Sequence, residues 1–254
     1  MHLTIGADPE FFLKLDGQFV SAHDIVPGTK YKPYPLSKGA VQADGTAVEF
    51  NITPASSKKE FVDNILTTLL EVREMVPKEY EFSFIPSVEY NPEYFQTIPV
   101  RFRRLGCDPD FNAYKEGKVN PKPDDTLTLR TGAGHLHLGW GEGIRQTKDH
   151  IWDCCTLVQA LDNSLGRAAL DWDRDRKRTL LYGAPGAFRP KPYGVEYRVL
   201  SNKWLCYPNL WPWIFDVSKH CFDRLLAGNM TYYRPPNRPS LACGDEAWLK
   251  PSQI

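Results

Sequence analysis

Apolar and polar positions alternate along the first third of the chain in a way that predicts paired strands. Residues 3–15 read as a strand with a polar break in its middle, and an Asp-Gly dipeptide directly after it signals a hairpin turn. Residues 40–55 repeat the pattern around a second Asp-Gly dipeptide. Segments 80–90 and 98–104 are also β-like. The first part of the chain is therefore predicted to form antiparallel hairpins.

Three longer stretches have apolar residues at helical spacing. They cover residues 57–76, 146–170 and 208–227, and the first has Ser57 and Glu60 in the positions of a capping box. Each helix is amphipathic and is expected to pack on the back of the strands. Because no internal repeat or linker interrupts residues 1–254, the pattern favours a single domain of the α+β class, mostly antiparallel sheet backed by long helices.

Composition narrows the function class mainly by exclusion. The 254 residues carry 31 basic and 31 acidic side chains, so no global charge indicates binding to nucleic acid. Six cysteines without regular spacing, and a start without the features of a signal peptide, predict reduced thiols and a cytoplasmic protein. The apolar runs are too short for a membrane span, so no membrane partner is expected.

The segment 131–140, TGAGHLHLGW, is a candidate for chemistry because it has two histidines at i and i+2 after a glycine-rich turn. In a strand, His135 and His137 share one face. A strand end with one histidine hydrogen-bonded in the core explains an isolated pair equally well. The first histidine is the expected ligand, the second is expected to be the more tolerant of substitution, and its role is left open.

Acidic side chains also share strand faces near the start of the chain. Asp8 and Glu10 lie two apart, and adjacent carboxylates repel unless a metal ion or an arginine neutralises them. In the second hairpin Asp44 and Glu49 belong to oxygen-bearing faces. Residues 22–39 and the polar-aromatic segment 106–114 read as loops without an assigned role.

A charge-rich stretch from residue 171 onward contains further candidates. Its first half, with Arg176 and Arg178, is explained by a solvated face or by binding of an anion. Farther along, Arg189 and Lys191 precede a strand in which a glutamate and an arginine share one face. A carboxylate beside a guanidinium suits a site that binds a metal and a phosphate together.

Taken together, these polar faces predict a centre for two or three divalent cations. Oxygen-rich ligand sets favour Mg²⁺, with Mn²⁺ as the alternative, over zinc. Arginines nearby would balance the charge of a nucleotide triphosphate. No GxxxxGK[ST] or GxGxxG pattern occurs, so neither a P-loop nor a Rossmann site is expected.

Five motifs in order carry a resemblance that covers nearly the whole chain: GADPEFF, DGTAVEFN, GCDPDFNAY, GHLHLGW and YGAPGAFRPKPYGVEYRVLSN. The set resembles bacteriophage-encoded carboxylate-amine ligases, the amidoligases of the second type, within the glutamine synthetase-like superfamily. The resemblance implies the curved sheet of a glutamine synthetase catalytic domain. It also implies a monomer or small homo-oligomer, located in the host cytoplasm if the chain is phage-encoded.

Carried over by position, the resemblance implies one metal held by Glu10 and Glu49, with Asp44 as a third candidate. The residues that would hold a second metal are Asp8, His135 and Glu196. The basic side chains that would contact the nucleotide or the transferred phosphate are Arg189, Lys191 and Arg198, with Arg176 and Arg178 as weaker candidates.

The implied activity is ATP- and Mg²⁺-dependent formation of an amide bond through an acyl phosphate. The acid and amine partners are not identified by the sequence and range from small molecules and peptides to a protein or a modified nucleobase. Two other classes remain open. A phosphotransferase of the guanidino-kinase type would keep the arginines and a carboxylate, and a non-catalytic nucleotide-binding or virion protein would be expected to lose metal ligands.

Overall fold

The computed structural model describes residues 2–104, 110–121, 127–229 and 239. Within these ranges the chain combines helices with antiparallel strand pairs, so the α+β prediction is confirmed.

One six-stranded sheet contains the HxH segment and the late Glu-Arg strand. Its order is β1-β12-β14-β13-β9-β10, and its strand pairs are antiparallel. The strands are β1 (Thr4–Ala7), β9 (Phe111–Asn112), β10 (Lys118–Val119), β12 (Leu136–Gly139), β13 (Ala187–Lys191) and β14 (Gly194–Tyr197).

A second six-stranded sheet is built from the two N-terminal hairpins. Its order is β3-β2-β6-β5-β4, and β7 pairs with β2. The strands are β2 (Glu10–Leu15), β3 (Gln18–Val20), β4 (Tyr34–Leu36), β5 (Gly39–Asp44), β6 (Ala47–Ile52) and β7 (Glu81–Ser83). A separate two-stranded sheet joins β8 (Ser87–Glu89) to β11 (Leu129–Thr131). Both Asp-Gly dipeptides form the predicted hairpin turns, because they connect β2 to β3 and β5 to β6.

The helices of the described ranges are α1 (Lys58–Met75), α2 (Pro92–Thr97), α3 (Val100–Arg103), α4 (Lys148–Leu161), α5 (Arg167–Ala169), α6 (Arg176–Leu181) and α7 (Leu210–Leu226). The predicted cap of α1 is confirmed, since the Ser57 side chain accepts a hydrogen bond from the Glu60 amide and the Glu60 carboxylate accepts one from the Ser56 amide. A π-helical turn, Asp162–Gly166, links α4 to α5.

The three long helices pack on each other and on the sheets around one large hydrophobic core. Helix α7 contacts both α1 and α4, and the rings of Phe61 and Phe215 lie 5.7 Å apart where α7 meets α1. Leu138 and Val195 of the first sheet and Phe50 of the second are fully enclosed in the same core. The helices therefore hold the two sheets in a fixed relation to each other.

The polar break in the first predicted strand is the point where the chain leaves one sheet for the other. Strand β1 pairs with β12, and β2 pairs with β6, so Asp8 and Pro9 connect the two sheets. The amide of Glu10 donates to the carbonyl of Ala133, and the amide of Asp8 approaches the carbonyl of His135. The acidic start of the chain is thereby fixed beside the glycine-rich segment.

Two local predictions are wrong or incomplete. Segment 98–104 contains α3 instead of a strand, and Pro99 lies directly before this turn of helix. Loop 22–39 contains β4. Segment 92–97, for which the pattern gave no prediction, forms α2 with Pro92 at its first position and Asn91 as its cap. From residue 232 onward the chain is proline-rich and irregular structure is expected, but these residues lie, except for residue 239, outside the described residues.

Among the described helices, none combines the length and the apolar character needed to span a lipid bilayer.

Candidate metal centre

Six acidic or imidazole side chains form two neighbouring groups where the two sheets meet. Glu10, Asp44 and Glu49 make the first group, called here the acidic cluster, and in each group one ligand atom per residue lies within 4.8 Å of the others. Asp8, His137 and Glu196 make the second group, called here the mixed cluster. Both groups bring together residues that are far apart in sequence.

Strand register explains the acidic cluster. Glu10 of β2 lies opposite Glu49 of β6, and Gln42 of β5 lies opposite Glu49 on its other side. The Gln42 amide donates to Glu49 at 2.9 Å, and the Ala133 amide donates to Glu10 at 2.9 Å. Each hydrogen bond fixes one carboxylate oxygen, so the two glutamates are oriented before any cation binds.

No basic side chain forms an ion pair with the acidic cluster among the described residues. Burial, with Asp44 as the next cause, raises the pKa of Glu10 from 4.5 to about 8. Burial and then Asp8 raise the pKa of Glu49 well above its ordinary value. Carboxylates that repel one another in an enclosed place are stabilised by a cation.

The mixed cluster is built on the first sheet. His137 of β12 pairs with Glu196 of β14 on one side and with Gly6 of β1 on the other. Its Nε2 atom lies 2.9 Å from Oδ1 of Asp8, while its Nδ1 atom lies 2.5 Å from the hydroxyl of Tyr193. The tyrosine thereby fixes the ring so that Nε2 faces the carboxylates.

His135 reaches the same carboxylates from the position before β12. Its Nδ1 atom lies 3.4 Å from Asp8 and 3.5 Å from Glu196. Burial, followed by the positive charge of Arg198, lowers the pKa of His135, so its imidazole is held neutral, the form that binds a metal. His135 thus lies beside two members of the mixed cluster, to which His137 belongs, and the choice of His135 as a ligand stays a prediction.

Two opposing influences set the charge of Asp8. Burial by itself raises the pKa of this carboxyl, but His137 and His135 beside it hold that pKa well below its usual range. Burial lowers the pKa of His137 in turn, and Asp8 more than reverses this effect, so the pKa of His137 is raised. In the absence of a cation the two side chains form an ion pair.

The chemistry of the donors fits divalent metal ions. Both Nε2 atoms and Oδ1 of Asp8 are enclosed, yet none of them makes a hydrogen bond of acceptable geometry with a described residue. Five carboxylates and two imidazoles supply the oxygen and nitrogen ligands that Mg²⁺ and Mn²⁺ accept. A bound cation would satisfy these enclosed atoms and relieve the repulsion within the acidic cluster.

Three basic side chains approach Glu196: Arg189, Lys191 and Arg198, whose predicted contact with nucleotide or phosphate stays a prediction. The ammonium group of Lys191 lies 2.7 Å from its carboxylate, and the guanidinium of Arg189 lies 3.6 Å away. Arg198 binds the other oxygen of Glu196, and its Nε atom bonds Asp110 at 2.5 Å. Positive charge is therefore concentrated on one side of the mixed cluster.

Arg178, a weaker candidate for a nucleotide contact, serves the backbone instead. It is 2% exposed, and its guanidinium donates to the carbonyls of Val199 and Leu200 at 2.7 and 2.9 Å. These carbonyls follow directly after the strand that carries Glu196. Arg178 therefore stabilises the backbone that follows Glu196, and a contact between Arg178 and nucleotide stays a prediction.

The remaining weak candidate, Arg176, is not brought to the clusters. It lies exposed at the start of α6 and lines a separate cavity of about 230 Å³ with Asp173 and Arg167. The sequence could not show which of Arg176 and Arg178 is buried, because the packing of α6 against the rest of the chain decides which of its faces is exposed.

A cavity of about 690 Å³ opens from the two clusters toward solvent. Its lining includes Asp8, Glu49 and His137 of the two clusters, together with Trp140, Tyr193, Ile52 and Pro54. Both the volume and the mixture of aromatic surface with a few polar groups are typical of small-molecule sites. The clusters are therefore accessible to a ligand of the size of a nucleotide.

Sequence reasoning missed several residues that complete the site. Asp110 belongs to the predicted loop 106–114, of which residues 106–109 lie outside the described residues. Tyr193 was not considered because nothing in the sequence indicates that it contacts His137. The sequence does indicate Gln42, because this residue alternates with the apolar Val41 and so belongs to the polar face of β5.

No protein-family model and no curated protein matches the chain. Among solved structures, it is similar to a bifunctional glutathione synthetase from Pasteurella multocida, with 13% identity, coverage of 67% of this chain and 22% of that one, and a TM-score of 0.34. It is also similar to GmaS in an ADP complex, with 14% identity, coverage of 97% of this chain and 59% of that one, and a TM-score of 0.41. The chain thus spans 22% and 59% of the lengths of these two proteins.

Proposed function

We propose that this protein is an ATP- and Mg²⁺-dependent carboxylate-amine ligase of the amidoligase type within the glutamine synthetase-like superfamily. The observation that carries the proposal is the pair of adjoining ligand clusters that contribute to the lining of a nucleotide-sized cavity, with three basic side chains beside one of them. The five ordered sequence motifs support the same assignment.

The acidic cluster would hold one ion and the mixed cluster a second. Bound there, Mg²⁺ supplies positive charge to the phosphates of ATP and lowers the repulsion that an attacking carboxylate meets. The chain's own contribution is to keep the ligands in place. Gln42 and the Ala133 amide orient the glutamates of the acidic cluster, and Tyr193 orients His137.

The 690 Å³ cavity would receive the nucleoside part of ATP. Trp140 and Tyr193 present aromatic rings to it, and such faces suit a purine. Its lining includes Asp8 and His137, so phosphates of a nucleotide seated there would extend toward the clusters. A P-loop is not needed for this arrangement because side chains, not a glycine-rich backbone, surround the phosphates.

In the proposed reaction, a carboxylate oxygen of the acid attacks the γ-phosphorus of ATP, and the bond to the β-phosphate oxygen breaks to release ADP. The protonated amine loses one proton to solvent, its nitrogen attacks the acyl carbon, and the bond from that carbon to the phosphate oxygen breaks. The nitrogen then gives up a second proton, which the released phosphate takes up. The sum is acid, protonated amine and ATP converted to amide, ADP, phosphate and one proton.

Three basic side chains would act on the transferred phosphoryl group. Arg198, Arg189 and Lys191 converge on Glu196, so they can compensate the charge of a phosphoryl group next to the mixed cluster. The guanidinium of Arg198 is pre-oriented by Asp110, which removes the cost of ordering it during the reaction.

The proposal is tested by incubating the protein with Mg²⁺, ATP and pooled acids and amines, and by following ADP, phosphate and new masses. A product lighter than acid plus amine by one water, formed with one ADP and one phosphate, is the expected result. The matched control is Glu10→Gln, which keeps the size of the side chain and removes its charge.

The other outcomes separate the alternatives. A product that gains a phosphoryl group without loss of water would assign a phosphotransferase of the guanidino-kinase type. Binding of Mg²⁺ and ATP without turnover of any pool would favour a non-catalytic nucleotide-binding protein. Turnover that Glu10→Gln leaves intact would contradict the metal assignment.

A further inference from the structure

Tyr182, which follows α6, contacts three of the charged or imidazole side chains around the mixed cluster. The guanidinium carbon of Arg198 lies 4.9 Å from the centre of its ring, and that of Arg178 lies 5.7 Å away. The His135 ring lies 5.7 Å from it, tilted by 48°. The tyrosine ring therefore contacts both guanidinium groups and the His135 imidazole.

The hydroxyl of Tyr182 has no hydrogen-bond partner among the described residues, although its oxygen is enclosed. The residue as a whole is only half-buried. The exposed part must therefore belong to the rest of the residue, and the hydroxyl points into the protein. An enclosed hydroxyl without a partner is unfavourable, and a ligand bound beside it would supply that partner.

We propose that Tyr182 is a catalytic residue whose hydroxyl donates a hydrogen bond to the phosphoryl group during transfer. Its ring is stacked on Arg198, which binds Glu196 of the mixed cluster. Tyr182, His135 and Arg198 are all absent from the lining of the nucleotide-sized cavity. Through Arg198 the ring adjoins the mixed cluster, where the proposed function places the phosphoryl group.

The assignment rests on the proposed function and identifies a contact that the metal ligands do not make. Hydrogen bonds to a charged acceptor are stronger than those between neutral groups, and a phosphoryl group in transfer carries charge on its equatorial oxygens. The phosphoryl group would supply the hydrogen-bond partner that the Tyr182 hydroxyl lacks in its absence.

The probe for this inference is orthovanadate, which takes the five-coordinate geometry of a phosphoryl group in transfer, added with Mg²⁺ and ADP. Equilibrium dialysis with measurement of bound vanadium gives its affinity. Tyr182→Phe removes only the hydroxyl. The matched control is Tyr90→Phe, because Tyr90 also has an enclosed hydroxyl and packs with Val88 and Phe95 in a separate apolar cluster.

The expected result is vanadate binding that is about 10-fold weaker or more in Tyr182→Phe. Tyr90→Phe and the unaltered chain should bind it equally, and the affinity for Mg²⁺ and ADP without vanadate should not change in either variant. Equal vanadate affinity in Tyr182→Phe would overturn the assignment of Tyr182 alone. Failure of the unaltered chain to hold vanadate with Mg²⁺ and ADP would overturn the proposed phosphoryl transfer, and the assignment with it.

Thermal unfolding separates a catalytic role from a structural one. Since the hydroxyl makes no hydrogen bond with the rest of the described chain, Tyr182→Phe is expected to unfold at the same or a higher temperature than the unaltered chain. A Tm lowered by several degrees, together with unchanged vanadate binding, would make Tyr182 a structural residue.

Discussion

Asp8 and Glu10 are separated by one proline, yet their side chains belong to different ligand clusters. Asp8 lies 2.9 Å from His137 in the mixed cluster, whereas Glu10 lies opposite Glu49 in the acidic cluster. The separation arises because the chain crosses from one sheet to the other at Asp8 and Pro9. One short segment thereby contributes to both proposed metal sites and keeps them adjacent.

Glu10→Gln and Glu196→Gln are each expected to lower ATP turnover by about 100-fold or more, since each removes one ligand charge and keeps the side-chain volume. Steady-state release of ADP measures the effect, and circular dichroism checks the fold. Glu81→Gln is the control for loss of a carboxylate, because Glu81 is exposed on β7. Full activity in either cluster variant would contradict the metal assignment.

His137→Ala is expected to weaken Mn²⁺ binding as much as His135→Ala does, by about 10-fold or more. The reason is that both imidazoles reach Asp8 and the mixed cluster. This expectation differs from the one drawn from sequence, in which His137 is the more tolerant position. Mn²⁺ titration followed by electron paramagnetic resonance measures both variants, and a loss confined to one histidine would identify it as the sole imidazole ligand.

Stabilisation by Mg²⁺ is expected to grow as the pH rises. In the metal-free folded chain, burial and then Asp44 raise the pKa of Glu10 from 4.5 to about 8, and the pKa of Glu49 moves in the same direction. Ionising these groups is harder in the folded than in the unfolded chain. The metal-free protein therefore loses stability as the pH rises from the ordinary pKa of these carboxyls to their raised pKa.

A cation favours the ionised carboxylates and reverses that loss. The measurement is Tm with and without Mg²⁺ between about pH 5 and about pH 8, where the increase caused by Mg²⁺ should be small at the lower end and largest at the upper end. A Mg²⁺ effect that is the same at every pH would show that these carboxylates do not bind the ion.

Gly183→Ala is expected to destabilise the fold by about 2–4 kcal/mol, more than its backbone conformation alone explains. A Cβ atom at Gly183 would lie 2.1 Å from Nη1 of Arg178, which is buried and bonded to Val199. Gly228→Ala is the matched control, because Gly228 has the same φ of +70° and a Cβ atom there would meet no described atom within 4 Å.

Denaturant unfolding of both variants isolates the contribution of Arg178. Equal losses of unfolding free energy would mean that the arginine moves without cost and that its bonds to the backbone do not hold the segment after Glu196.

The sequence by itself determined the local structure and the ligand types. Hairpins at the two Asp-Gly dipeptides, the cap of α1 at Ser57 and the long helices follow from turn chemistry, capping and periodicity, which act over a few residues. The choice of carboxylates and imidazoles as candidate ligands follows from residue chemistry alone. Segment 98–104 shows the limit of such patterns, since a short apolar and basic stretch fits a strand as well as the observed α3.

The resemblance implied how the acidic candidates divide between two metals, but only the tertiary structure decided that His137 joins Asp8 and Glu196 and which basic residues adjoin them. Asp8 and Glu10 share a strand face in a continuous strand, but the crossing between sheets sends them apart. Arg178 and Arg198 are equally basic in the sequence, yet one is buried against backbone carbonyls and the other binds Glu196. These distinctions depend on strand pairing and packing between residues far apart in the chain, which no local pattern encodes.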